Sequence, residues 1–77
     1  MRLSNADRSR MSRPEKHSLT LKGHRTSVSL EPEFWAAFRA YAKRRDQGIN
    51  ECAAEIDAAR GDLGLASALR LTVLRDL

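Results

Sequence analysis

Gly23-His24-Arg25-Thr26-Ser27-Val28-Ser29-Leu30-Glu31-Pro32-Glu33-Phe34-Trp35 changes its periodicity part-way along, and that change decides how the rest of the chain is read. Up to Leu30 the pattern alternates. In an extended chain, Thr26, Val28 and Leu30 fall on one side and Arg25, Ser27 and Ser29 on the other. At Pro32 the pattern becomes that of a helix start, with proline at the first helical position and an aromatic pair behind it. The spacing therefore predicts a strand over about residues 25–30 and a helix from residue 32. A lone strand with a small apolar face is not stable in water; it needs a partner strand and a cover for that face.

Three helices follow from the downstream pattern. The first runs over about residues 32–45. Phe34, Phe38 and Tyr41 recur at spacings of four and three, and Trp35 and Ala42 widen the stripe. Glu31 is the expected cap, Glu33 suits the positive end of the dipole, and Lys43-Arg44-Arg45 suits the negative end. Asp46-Gln47-Gly48 interrupts the pattern. A second helix covers about residues 49–59, with Ile49, Cys52, Ala53 and Ile56 as its apolar face, Gly48 as N-cap and Gly61 in the left-handed position beyond its end. A third covers about residues 63–75, with Asp62 as the expected cap, although Gly64 weakens its first turn and favours a start at Leu65.

Upstream, Ser18-Leu19-Thr20-Leu21 alternates as well, but its apolar residues are odd-numbered while Val28 and Leu30 are even. One continuous flat strand cannot place both pairs on one face. Either Gly23 resets the register, or the two pieces pack on different surfaces; the first is the preferred reading. Residues 1–16 are polar, basic and interrupted by Pro14, and read as a flexible arm ahead of a domain spanning residues 17–77.

Charge is distributed unevenly. Residues 1–25 hold seven basic residues (Arg2, Arg8, Arg10, Arg13, Lys16, Lys22, Arg25) against Asp7 and Glu15, a net +5. Residues 26–77 hold seven basic against eight acidic residues, a net −1. All the positive excess precedes or begins the strand, which points to a polyanionic partner. A solvated tail that aids solubility accounts for the arm equally well on its own.

Other chemistries find little support. Cys52 is the single cysteine, so a disulfide framework is excluded and a reducing, cytoplasmic setting fits. His17, His24 and Cys52 lack zinc-ligand spacing, and no nucleophile elbow, triad or glycine-rich phosphate loop is present. No stretch reads as a signal peptide or membrane span. The expectation is a protein without enzymatic activity, cofactor, metal or small-molecule substrate.

The layout is thus mostly α with one β-strand: arm, strand, three helices. Seventy-seven residues lie near the size at which a single-chain core is marginal. Pairing the strand with its copy across a two-fold axis makes an antiparallel two-stranded ribbon between chains, in an intertwined homodimer. Its core would comprise Val28, Leu30, Phe34, Trp35, Phe38, Tyr41, Ile49, Cys52, Ala53 and Ile56. The opposite face would present Arg25, Ser27 and Ser29 from each chain, and such a ribbon fits the major groove of double-stranded DNA.

Three segments carry a family resemblance: residues 23–35, Asn50 to Asp57 (NECAAEID) and Leu65 to Leu74 (LASALRLTVL). The chain resembles short bacterial members of the ribbon-helix-helix (Arc/MetJ-type) superfamily of DNA-binding dimers, over about residues 18–77. The resemblance implies a third C-terminal helix after the ribbon-helix-helix core. It also implies that backbone amides at Gly48, Ile49 and Asn50 anchor a DNA phosphate, as helix N-termini do. The chain departs from the family pattern at Asp46, where glycine is usual, and at Gly48, where serine or threonine usually caps the helix.

Arg25 is the foremost base-contacting candidate, because a guanidinium spans guanine O6 and N7; Ser27 and Ser29 bond to any base. Arg10, Arg13, Lys16, Lys22 and protonated His24 are the further phosphate-contacting candidates. The expected function is sequence-specific DNA binding as a homodimeric transcriptional repressor or regulator, located on the nucleoid when bound. The alternative is a dimeric protein-interaction module, such as an antitoxin or adaptor, that engages a protein through the third helix.

Overall fold

The turn that organises the molecule is Lys22-Gly23. In the computed structural model, which describes residues 13–77, these two residues have φ of 52° and 84°. Positive φ at both central positions is the signature of a two-residue type I′ hairpin turn, whose twist matches the twist of the strands it joins. The chain reverses there. β1, Glu15–Leu21, lies antiparallel to β2, His24–Leu30, in a two-stranded sheet. Leu21 faces His24 across the turn, and the register runs through Leu19↔Thr26 and His17↔Val28 to Glu15↔Leu30.

This corrects the expectation of one strand pairing only with a second copy. The partner strand belongs to the same chain. The parity mismatch that set Leu19 and Leu21 against Val28 and Leu30 is resolved by the reversal. Crossing a two-residue turn exchanges odd for even, so all four side chains share one face and all four are buried. Glu15 and Lys16, expected in the arm, lie in β1, Arg13 and Pro14 lead into it, and residues 1–12 of the expected arm, with Arg10, lie outside the described residues.

Three helices cover the apolar face: α1, Pro32–Arg44; α2, Ile49–Ala59; and α3, Leu65–Arg75. α2 packs mainly on β1, and α3 packs on α1 and α2 and touches β2. Leu19, Leu30, Trp35, Phe38, Cys52, Ala53 and Leu69 form the centre of the core, each with no more than 1% of its surface exposed. Val28 is buried with them, and Phe34, Tyr41, Ile49 and Ile56 pack around them half-buried. All ten residues expected in a dimer core are therefore in, or against, the core of one chain. The Trp35 indole N–H donates to the Glu15 carbonyl at 2.9 Å, and the His17 ring meets Trp35 edge-on at 4.6 Å, fastening the start of β1 to α1.

The helix boundaries follow local chemistry. α1 ends in a Schellman motif: Gln47 N–H donates to Ala42 O, Asp46 N–H donates to Lys43 O, and Asp46 takes the left-handed conformation at φ 58°. Glycine suits that conformation best, which accounts physically for the family preference from which Asp46 departs. Gly48 occupies the N-cap of α2 and Gly61, at φ 62°, follows its end. α3 starts at Leu65 with Gly64 at its N-cap, so Asp62 does not cap it. Glu31 stands at the N-cap of α1 but makes no side-chain cap bond. Its carboxylate instead accepts from Arg70 Nε at 3.0 Å and Nη2 at 3.2 Å, joining the β2–α1 corner to α3. Arg44 and Asp76 pair at the other end of α3.

Two predictions follow from the turn and the corner. Gly23→Ala is expected to destabilise the fold by about 1 kcal/mol, and Lys22→Asn to stabilise it by about 0.5 kcal/mol, because only the former worsens a left-handed position. Urea unfolding measures both. The Arg70 hydrogen bonds hold the Glu31 carboxyl below its ordinary pKa of 4.5. A depressed carboxyl contributes its full stabilisation above that ordinary value and loses it as pH falls through the lowered one. Glu31→Gln should therefore cost about 1 kcal/mol at pH 7, and the gap from wild type should close in acid, as pH falls through the lowered value.

Candidate nucleic-acid interface

With the helices on one face of the hairpin, the other face is left to solvent. Strand alternation places Lys16, Ser18 and Thr20 of β1 there, beside Arg25, Ser27 and Ser29 of β2. The register opposes them directly, as Lys16↔Ser29, Ser18↔Ser27 and Thr20↔Arg25. Five of the six are exposed and Ser29 is half-buried. The face holds two cations and four hydroxyls and no carboxylate. Sequence inspection assigned it Arg25, Ser27 and Ser29 but missed Ser18 and Thr20. Their signal was present in the alternation of residues 18–21, but their side could not be assigned without the turn.

The two edges of the hairpin differ. In a two-residue hairpin the pair flanking the turn is hydrogen-bonded, and bonded and non-bonded pairs then alternate. Thr20, Ser18 and Lys16 thus aim their backbone N–H and C=O groups away from β2, and Arg25, Ser27 and Ser29 aim theirs away from β1. On the β1 edge, Thr20 N–H donates to Asn50 Oδ1 at 3.0 Å. Asn50, expected to offer its backbone amide to a phosphate, uses its side chain to staple β1 to the first turn of α2. On the β2 edge, no group among the described residues outside the hairpin bonds to Arg25, Ser27 or Ser29 backbone.

The remaining candidates separate by location. Gly48 and Ile49 open α2, where unsatisfied amides and the helix dipole favour an anion. A shallow depression there is also lined by Arg39, Lys43, Asp46 and Gln47. Arg39 was not among the expected contacts, because it lies on the first helix and only the tertiary packing carries it to the second. Of the Lys43-Arg44-Arg45 trio, Arg44 is paired with Asp76, and Arg45 is engaged by Gln47 and Glu55 and stacked over Tyr41. Lys43 has no carboxylate partner among the described residues. Lys22 is exposed in the turn and Arg13 precedes β1, also exposed. His24 falls on the helix-covered side of the hairpin, near Asp57, Arg60 and Leu65, away from the polar face. Cys52 is enclosed by the core, and its burial pushes the thiol up from its ordinary pKa.

The chain folds as a two-stranded antiparallel sheet followed by three helices, and the family model of the Ribbon-helix-helix domain matches it over residues 14–77. The chain belongs to the ribbon-helix-helix family. No curated protein and no solved structure matches it. Ribbon-helix-helix domains commonly bind DNA or dimerise and are generally non-enzymatic. No helix among the described residues of this ribbon-helix-helix chain is long and apolar enough to cross a membrane.

Asn50→Ala removes the side-chain bond to the Thr20 amide. Hydrogen exchange at the Thr20 amide is expected to accelerate selectively, with a loss of global stability of about 1 kcal/mol.

Proposed function

We propose that the chain is a sequence-specific DNA-binding homodimer acting as a transcriptional regulator. The observation that carries this reading is the acid-free face of Lys16, Ser18, Thr20, Arg25, Ser27 and Ser29 on an antiparallel hairpin. A two-stranded ribbon enters the major groove, and arginine at its edge discriminates guanine by about 1–3 kcal/mol through paired hydrogen bonds. Ser27 and Ser29 add adaptable bonds of low selectivity. The positive excess in residues 1–25 supplies attraction to phosphate, with Arg10, Arg13, Lys16 and Lys22 as the contributing side chains. The amides of Gly48 and Ile49, with Arg39 and Lys43 beside them, anchor a backbone phosphate where a capping hydroxyl is missing.

Dimerisation uses the open edge of β2. An exposed edge of unpaired N–H and C=O groups is a template for another strand. A two-fold centred on Ser27 pairs it with its own copy and sets Arg25 against Ser29 of the other chain. The sheet then has four strands, and each protomer keeps its own closed core. A second reading, a protein-interaction module of the antitoxin or adaptor kind, draws on the exposed Leu74 of α3 and on Leu77 beyond it.

Selection of duplexes from a random pool, followed by competition binding, tests the DNA reading. Arg25→Ala should lose most of the preference for the selected sequence while keeping low-salt affinity for random duplex. Unchanged preference would sink the ribbon reading, and no binding at low salt would favour the interaction module. Ser27→Pro deletes an outward N–H without disturbing the β1–β2 ladder. It should convert a dimer to a folded monomer in analytical ultracentrifugation; a wild-type monomer would remove the dimer from the proposal.

A further inference from the structure

Resting on that DNA-reading, β2-paired dimer, we propose that β1 is a phosphate clamp, so that the two strands of one hairpin divide the work of base reading and backbone binding. The first support is dimensional. Neighbouring strands lie about 4.8 Å apart, so in a four-stranded sheet the outer strands β1 and its copy lie roughly 14 Å apart. The B-DNA major groove is about 12 Å wide. The central β2 pair enters the groove, and the outer strands come to rest over its two walls, where the phosphates are.

Chemistry agrees with that position. The outward residues of β1 are Lys16, Ser18 and Thr20, one ammonium and two hydroxyls, all exposed. These are groups that bind phosphate oxygens without reading sequence. Arginine, the residue best suited to guanine, stands on the inner strand β2 at position 25.

The third support is the Asn50 staple. By holding Thr20 N–H at 3.0 Å, Asn50 fixes β1 against the first turn of α2, so the outer strand and the α2 amides adjoin. Moving outward from the two-fold, the order is β2, β1, then the α2 N-terminus with Arg39 and Lys43 alongside. Groups suited to bases are innermost, and groups suited to one phosphate backbone border them, with Asp46 as a carboxylate among the residues at the α2 end.

The test compares the full chain with Lys16→Ala and with the double variant Ser18→Ala/Thr20→Val, on the selected duplex and on random duplex across a salt series. Lys16→Ala should reduce the slope of log affinity against log salt by about 2 for the dimer, one phosphate per chain. The double variant should weaken binding to both duplexes by the same factor, about tenfold, with the preferred sequence unchanged. Ser18→Thr/Thr20→Ser, which keeps both hydroxyls, should restore binding and serves as the control for folding. A changed preferred sequence in the double variant would overturn the clamp, since β1 would then read bases. Unchanged affinity on both duplexes would overturn it too. If Arg25→Ala leaves preference intact, the failure lies in the underlying base-reading proposal and not in the assignment of β1.

Discussion

Two left-handed residues, Lys22 and Gly23, govern the structure. A type I′ turn allows one pairing of the flanking residues, and a hairpin slipped by one position would turn every side chain to the wrong face. With Leu21 set opposite His24, the four apolar side chains Leu19, Leu21, Val28 and Leu30 come to one side. That patch is what α1, α2 and α3 pack against, and the polar face is its geometric complement. The lysine at the first turn position is a local cost, since a side chain with a Cβ is less at ease at positive φ than glycine or asparagine. Core burial outweighs it: eight of the described residues, Ala42 among them, are at or below 1% exposure.

The same turn makes the two edges of the sheet unequal. The β1 edge is held near the turn by one bond, from Thr20 N–H to the Asn50 side chain, and β2 has no partner outside the hairpin among the described residues. Unpaired edges invite strand addition, so the inequality tells which edge suits a second copy. In the proposed β2-paired dimer, side chains on β2 would lie nearest the two-fold and those on β1 farther out. Electrostatics reinforces the division. Where carboxylates lie beside cations in the helical layer, they are tied up in pairs such as Glu31–Arg70, Asp57–Arg60 and Asp76–Arg44. The hairpin face has none to pair with.

Much of this was legible in the residues. Strand alternation at 25–30, the Pro32 helix start, the breaks at Gly48 and Gly61 and the delayed start at Leu65 all reflect short-range preferences. The observed elements begin or end within two residues of those expectations. Three features were not legible. Glu31 looked like a cap and is an ion-pair partner of Arg70, 39 positions away, a distance no local rule spans. Asn50 drew notice for its backbone amide, and its side chain also staples the β1 edge at Thr20. His24 looked like a phosphate ligand, yet alternation from the turn puts it on the helix side.

The family resemblance, the three helices, the strand before Pro32 and the polar character of Arg25, Ser27 and Ser29 can all be read along the chain, because periodicity and composition are local properties. That the first partner of that strand is residues 15–21 of the same chain emerges with the folded hairpin. The tertiary structure alone added Ser18 and Thr20 to the polar face and Arg39 to the mouth of α2. The physical reason is the turn. Whether two alternating segments are one bent strand or a hairpin depends on φ at two residues, and Lys22 gives no sign in the sequence that it will adopt the left-handed form.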